Sequence, residues 1–302
     1  MGWRTVIISN TAKLDYKMDY LVVRSNNQVS RIHLSEISLI IVETPSVSLT
    51  AYLLCELAAN KIGIIFCDEK RYPNGQYIPF YGSHDTSEKI RKQYNWNINS
   101  KMIIWKEVVT RKIIGQMNVL NKYNHISSGE KLKQYSYDVA IGDTTNREGH
   151  AAKVYFNSLF GKDFSRDDKE NIINAQLNYG YSILLSTVCR EIVKNGYITQ
   201  IGIHHDNIFN CYNLACDLME PLRPFIDLLI LKLEHIALST DIKQSILTFL
   251  NRKVSIMGRE QYMLNAIEIY IKSILDSISS EDPNLIKFIE YEFTCYESDS
   301  IL

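Results

Sequence analysis

The strongest constraint on this chain is a change of period. Up to about residue 80 its apolar residues come in short β-branched runs: TVIIS, DYLVVRS, VSRIHL, LIIVE and GIIFCDE. After about residue 88 they recur at helical spacing. A strand repeats every 2.0 residues and a helix every 3.6, so no one segment satisfies both patterns. The expected fold class is therefore α+β, with a small N-terminal β-rich, sandwich-like domain over 1–80 carrying one helix. A polar linker follows over 81–88, then a larger all-α domain over 89–302. Alternation in VSRIHL predicts one buried face, and LIIV reads as buried on both. Ser48–Asn60 has helical periodicity, and Pro-Asn-Gly within Tyr72–Pro79 signals a turn closing a hairpin. Ser87 is placed to cap the next helix. Further helices are expected over Lys101–Lys122, Asn146–Phe160, Asp167–Asn195, Asn210 to about Leu233, Ile242–Leu250 and Arg259–Ser279. The tail ESDSIL is expected to fray.

The 302 residues are 46% apolar and 22% charged, which supports real cores and excludes bulk disorder. No apolar run reaches the roughly 18–20 residues of a membrane span. The opening MGWRTVIISN lacks the pattern of a secretory signal, so the expected location is the cytoplasm. Six cysteines, with none in C-x-x-C spacing, argue against a zinc knuckle. Cys55, Cys189, Cys211 and Cys216 lie in apolar helical stretches and read as buried thiols. Net charge is −1, but residues 81–133 alone carry +6. That basic segment is either a solvated helix face or a phosphate-contacting surface; Lys89, Arg91, Lys92, Arg111 and Lys112 are its candidates.

Chemistry concentrates in HDNIFNCYNLACDLMEPLRPFID, residues 205–227. Asp217 and Glu220 are three apart, so on a helix they share a face. Two such carboxylates repel unless a cation joins them, and oxygen donors beside an imidazole suit Mg²⁺ or Mn²⁺. Pro221 and Pro224 lack the N–H groups that would bond the carbonyls of Asp217 and Glu220, so a kink is expected there. Glu148, early in its helix, and His205 complete the candidate set, although each residue alone also reads as an ordinary structural group. Arg147, Lys153 and Arg223 are either phosphate contacts or ion-pair partners of the acidic cluster. Tyr155 and Tyr181 read as core rather than as base-stacking rings.

Three motifs in order carry a resemblance: NREGHAAKVYF, NAQLNYGYSILLS and GIHHDNIFNCYNLACDLMEPLRPFID. They resemble the CRISPR-associated spacer-acquisition integrase family, Cas-one, over essentially the whole chain. The opening MGWRTVIISNTAKLDYKMDYLVVR looks like the type II-A branch. In the family pattern a glutamate opens a helix, here Glu148. A loop histidine precedes an acidic D-L-M-E, here His205, 12 residues before Asp217 and 15 before Glu220. His204 stands beside it, so that assignment rests on spacing.

The resemblance implies a metal-dependent DNA endonuclease and integrase of CRISPR adaptation. Glu148, His205 and Glu220 would bind Mg²⁺ or Mn²⁺, and Asp217 would be a further ligand or an orienting group; these four form the catalytic set. From charge and position alone, not from the resemblance, Arg147, Lys153, Arg223, Lys89, Arg91 and Lys92 are the candidate DNA contacts. The implied assembly is a homodimer through the β domains, two of which flank a dimer of a small ferredoxin-like partner, Cas-two. Its double-stranded DNA substrates are the prespacer and the CRISPR repeat, joined through the prespacer 3′-hydroxyls. The type II effector nuclease and an accessory ring protein are further partners. Two other readings compete: a metal-independent DNA-binding scaffold, and a stand-alone repair nuclease acting on branched DNA.

Overall fold

The computed structural model describes residues 2, 4–25, 28–71, 73–77, 83–233, 235 and 237–291. The expected frayed tail lies outside these residues, as do the centre of the SNNQ turn and residues 78–82, where the expected linker begins. The chain divides into two compact units: Met1–Tyr94 with Ser182–Thr199, and Asn95–Tyr181 with Gln200–Leu302. The division thus falls after Tyr94 rather than within 81–88. A later segment also joins the first unit, which short-range sequence patterns do not report.

The first unit holds β1 (Arg4–Ile8), β2 (Ala12–Lys17), β3 (Tyr20–Ser25), β4 (Gln28–His33), β5 (Ile37–Val42), β6 (Val47–Leu49), α1 (Ala51–Ala59), β7 (Gly63–Cys67), β8 (Pro73–Tyr77) and α2 (Thr86–Tyr94). They form two four-stranded sheets, ordered β1-β5-β7-β8 and β4-β3-β2-β6. Leu14 and Leu21 of one sheet, Val6, Ile40 and Ile64 of the other, and Leu53 and Leu57 of α1 belong to one hydrophobic cluster. The sandwich-like expectation therefore has a physical basis in a core shared by both sheets. Every residue of β5 is buried, as the continuous run LIIV predicts. It pairs in parallel with both β1 and β7, and strands buried on both faces read as unbroken apolar stretches.

Several local expectations need correction. β2 is a strand that the apolar runs do not announce; it pairs with β3 around Met18 and Asp19, both at positive φ. Such a two-residue turn normally advertises itself with Asn-Gly, which is absent here. Pro-Asn-Gly is not a turn: it lies inside β8, with Gly75 opposite Phe66. The bend sits earlier, where the Arg71 N–H donates to the Asp68 carbonyl. α1 starts at Ala51, capped by Thr50, because residues 48 and 49 are used by β6. Ser87 lies within α2, not at its cap.

The second unit begins with α3 (Ile98–Lys122), α4 (Ile126–Tyr137) and α5 (Arg147–Phe160). α6 (Ile172–Lys194) belongs to the second unit up to Tyr181 and to the first from Ser182. In the first unit its Arg190 donates to the carbonyl and hydroxyl of Ser38. The second unit continues with α7 (Asn213–Met219), α8 (Arg223–Ile230), α9 (Thr240–Leu247) and α10 (Met263–Ser280). It is not all-α. β9 (Lys253–Ile256) and β10 (Arg259–Tyr262) form a hairpin turning at Met257 and Gly258, both at positive φ. The helix expected from Arg259 therefore starts at Met263. Among the described residues no helix is long and apolar enough to cross a membrane. Of the cysteines expected to be buried, Cys189 is buried and Cys216 half-buried, but Cys55 and Cys211 are exposed. Cys55 lies on the outer side of α1 and Cys211 in the loop before α7.

Candidate functional site

The site lies in the second unit and is built from three places in the chain. The first is the start of α5. Asn146, in left-handed conformation, caps it by accepting from the Gly149 N–H at 3.1 Å. Asp143 accepts from the N–H groups of Arg147 and Glu148 at 2.8 and 3.0 Å. Two caps on consecutive donors fix the first helical turn. They set Glu148 on that turn, with its side chain 23% exposed.

The second place is the α7–α8 junction. Prolines deprive the Asp217 and Glu220 carbonyls of their usual partners, and the chain answers with a single 3₁₀ turn over Glu220–Leu222. The Asp217 carbonyl accepts from the Glu220 N–H, and the Glu220 carbonyl from the Arg223 N–H. The expected kink is thus a tightened turn that restores both bonds one residue earlier. The Tyr291 hydroxyl donates to the Pro221 carbonyl. Its ring stacks on Phe225 and lies under the Arg111 guanidinium.

The third place is the loop into α7. Asp217, fully buried, accepts from the N–H groups of Ile203, His204 and His205 at 2.7, 3.1 and 3.0 Å. Its Oδ1 also lies 2.6 Å from His205 Nδ1. A Cβ on Gly202 would fall 2.4 Å from the His205 carbonyl oxygen and 2.6 Å from Asp217 Oδ2, so only glycine fits here. The two neighbouring histidines are now distinct. His204 stacks on the buried Trp105 ring at 4.2 Å and 3°, whereas His205 is braced by Asp217. The carboxylate oxygen accepts, so Nδ1 carries the proton, and in the neutral imidazole Nε2 keeps its lone pair. The Asp217 bond raises the His205 pKa against the opposing effect of burial, with added pull from Glu220 and Glu148.

Lys112 joins the carboxylates. It sits mid-way along α3 and is 8% exposed. Its Nζ is 2.6 Å from Glu148 Oε1 and 2.6 Å from Glu220 Oε2. Arg223 Nε lies 2.9 Å from the other Glu220 oxygen. Neither Glu220 Oε2 nor Arg223 Nε has a hydrogen bond of good geometry, so these two contacts are of charge. Burial opposes ionisation of both Glu220 and Lys112. Arg223 and Lys112 nevertheless hold the Glu220 carboxyl below its usual range, and Glu220 and Glu148 hold the Lys112 ammonium above its own.

Beneath this site Tyr155 and Tyr181, both buried, donate to Asp227, which agrees with reading them as core. Burial pushes the Asp227 carboxyl up to about 6 against those two hydrogen bonds. Arg223 lies over the Tyr181 ring at 4.5 Å. In the Asn-x-x-x-Asn-Tyr-Gly-Tyr stretch, Asn174 and Asn178 both accept from Arg166.

The sequence-derived residues fare unequally. Glu148, Glu220, His205 and Asp217 come together in one unit, with Asp217 spent on the loop and the imidazole. Arg223 pairs with Glu220; Arg147 stacks over Tyr135 at 5.2 Å and lies 3.8 Å from Asp138. Lys153 is exposed on α5. Lys89, Arg91 and Lys92 lie on α2 in the first unit, where Lys89 pairs with Asp85 and Lys92 with Glu88. Two members of the basic segment are not on a solvated face. Arg111 donates to the Ile289 carbonyl, and Lys112 is buried on the carboxylates. One signal could have found Lys112: it falls on the same stripe as Trp105, Val108 and Val109, an unpaired charge at a core position.

Among the described residues no three His, Cys, Asp or Glu side chains converge closely enough to hold a metal ion. The chemistry still suits one. Two carboxylates and a free imidazole nitrogen are donors for a hard divalent cation. Glu220 Oε2 is a buried oxygen without a hydrogen bond, and the carboxylates already share a cation, the Lys112 ammonium.

An α+β chain in which carboxylates from separate elements share one cation beside a carboxylate-braced histidine defines a class suited to cation-assisted chemistry. Residues 5–240 match the family model described as CRISPR associated protein Cas1, and the chain belongs to that family. It is 31% identical to the CRISPR-associated endonuclease Cas1 of Neisseria meningitidis serogroup C (strain 8013), covering 97% of this chain and all of the relative. Identity is 27% to a CRISPR-associated endonuclease Cas1 of Pyrobaculum aerophilum, over 73% of this chain and 78% of the relative. Among solved structures, a casposase bound to integration product has a TM-score of 0.73 at 20% identity, covering 96% of this chain and 95% of that one. A Cas1 protein from Thermotoga maritima has a TM-score of 0.71 at 19% identity, covering 91% and 97%. These last two likenesses are of fold.

Proposed function

We propose that this chain is a metal-dependent DNA endonuclease and integrase of CRISPR adaptation, of the type II-A branch. Its reaction joins the 3′-hydroxyl ends of prespacer DNA to the CRISPR repeat by transesterification. One observation carries the reading: Glu148 and Glu220, from separate elements, meet on a single positive charge in the unit that also presents His205. Glu148, Glu220 and His205 Nε2 would hold Mg²⁺ or Mn²⁺. When bound, the ion supplies Lewis acidity at a phosphoryl oxygen and offsets the charge of in-line displacement.

The chain's own residues prepare that site. Asp217 fixes the imidazole tautomer and orientation, a common arrangement behind a ligating histidine. Arg223 orients Glu220, and the double cap on α5 orients Glu148. Water in place of a 3′-hydroxyl gives strand cleavage, so both activities share one site. Arg147, Lys153, Lys89, Arg91 and Lys92 are proposed as DNA contacts. The assembly is a cytoplasmic homodimer through the β-rich units, working with Cas-two. The structures titled as Cas6-RT-Cas1–Cas2 complexes support that partner by likeness of fold, one at a TM-score of 0.72 and 16% identity.

The test is joining of a 3′-hydroxyl DNA duplex to a repeat-bearing plasmid, with Cas-two and Mn²⁺. Glu148→Ala, His205→Ala and Glu220→Ala should each abolish joining while the protein stays folded; full joining by a folded Glu148→Ala protein overturns the reading. One observation favours a second reading, a DNA-binding scaffold with a structural acidic cluster: Lys112 and Arg223 already balance Glu148 and Glu220. That scaffold would bind duplex without metal, with strong salt dependence and no products on adding Mn²⁺.

A further inference from the structure

Lys112 is the one site residue whose place has no account in the proposed chemistry. It is a flexible ammonium carried on a rigid 25-residue helix, directed inward among apolar neighbours. Nothing in α3 requires a charge there. Its position follows from what it touches: Glu148 at the start of α5 and Glu220 in the 3₁₀ turn between α7 and α8. Those segments are 72 positions apart in sequence. Among the described residues, no salt bridge or hydrogen bond joins the two glutamates except through Nζ.

Charge accounting gives this contact a consequence. With Lys112 and Arg223 in place, the two glutamates are balanced two against two. A divalent ion taken up by the same carboxylates would add two positive charges beside an ammonium already 2.6 Å from both. Two cations competing for the same oxygens in a site of low dielectric repel strongly. Arg223 cannot give way easily, because its guanidinium is also held over the Tyr181 ring. Lys112 can: a lysine is a point charge on four rotatable carbons.

We infer that Lys112 is a tethered cation that keeps Glu148 and Glu220 together in the metal-free protein and is exchanged for the divalent ion on loading. It is a positioning residue. It lets two buried carboxylates exist before metal arrives, and it sets the affinity of the site by competing for it. The inference rests on the metal-dependent reading above.

The experiment uses the full chain, stripped with chelator, and reads two quantities: thermal midpoint without metal, and Mn²⁺ affinity by electron paramagnetic resonance. Lys112→Met should lower the metal-free midpoint, because two carboxylates lose their shared partner, and should bind Mn²⁺ at least about tenfold more tightly, because the competing charge is gone. Mn²⁺ should then recover most of the lost midpoint. Lys112→Gln, which keeps a donor without charge, should behave likewise and serves if the methionine variant does not fold without metal. Lys112→Arg should restore the metal-free midpoint and bind Mn²⁺ no more tightly than the wild type.

A purely structural lysine predicts the opposite affinity change. Its loss would disorder Glu148 and Glu220 and weaken Mn²⁺ binding. Affinity equal to or weaker than wild type in Lys112→Met and Lys112→Gln therefore overturns the exchange while leaving the metal reading intact. Absence of Mn²⁺ binding in the wild type and in all three variants overturns both.

Discussion

The two halves of the site are held in different ways. The His205–Asp217 half is local in sequence: one buried carboxylate gathers three consecutive N–H groups and an imidazole from a loop ending 12 residues before it. The Glu148–Lys112–Glu220 half has no such scaffold. Three segments meet on one ammonium through charge, and two of the four oxygen and nitrogen atoms facing each other at Glu220 lack hydrogen-bond geometry. The first half is built like a capped turn and is fixed before any ligand arrives. The second is held by charge, on the ammonium that we infer to be exchangeable. On the metal-dependent reading proposed above, the two halves divide the work: one ligand that does not move and a pair of ligands that can be released.

The comparison breaks most readily at Asp217. Asp217→Ala strands three N–H groups, one of them buried and two half-buried, and frees the imidazole, and should cost about 3–5 kcal/mol of stability by urea denaturation. Gly202→Ala should lose the same loop by steric conflict and share the phenotype. A cost under about 1 kcal/mol for Asp217→Ala would show that the first half is not the rigid one.

Next comes the charge-held half. A double-mutant cycle between Lys112→Met and Glu220→Gln, read by denaturation in chelator, should give a coupling of about 2–3 kcal/mol. The cycle with Glu148→Gln should give less, since Glu148 is 23% exposed and screened. Equal couplings would mean that the two carboxylates hold Lys112 equivalently.

Asp227, which accepts from Tyr155 and Tyr181, supplies a pH test. Its folded pKa is raised to about 6 by burial. The protonated form is therefore favoured in the fold, and this contribution is fully present below the unfolded value of about 4. It is lost as pH rises through about 6. Relative to Asp227→Asn, the wild type should lose up to about 3 kcal/mol between pH 4 and pH 7. A pH-independent difference would show that the Tyr155 and Tyr181 hydroxyls keep the carboxylate ionised throughout.

The smallest effect is expected at the surface. Lys92→Ala removes a pair in which both side chains are more than half exposed. It should leave the denaturation midpoint unchanged while weakening duplex DNA binding in a salt-dependent way.

Much of this was legible from local pattern. The β5 run announced a strand buried on both faces, and the stretch Asn146–Phe160 announced the helix that carries Glu148. The spacing of His205, Asp217 and Glu220 located the first half of the site, because residues within some 15 positions are constrained by one loop and one helix. The type I′-like turn at Met18 and Asp19 and the hairpin at Met257 and Gly258 were not legible, since each opens on a methionine where Asn or Gly usually marks positive φ.

Sequence by itself determined the strands with apolar runs, the long helices and which side chains carry chemistry, for these follow from period and spacing. Tertiary structure alone decided what each charge meets. Lys112 looked like one cation in a basic run, and Arg223 stood open between a phosphate contact and an ion-pair partner of the acidic cluster. Only packing α3 against the start of α5 and the 3₁₀ turn sets them on buried carboxylates. A charge has no period, and its role depends on partners distant in sequence, as Glu220 is from Lys112.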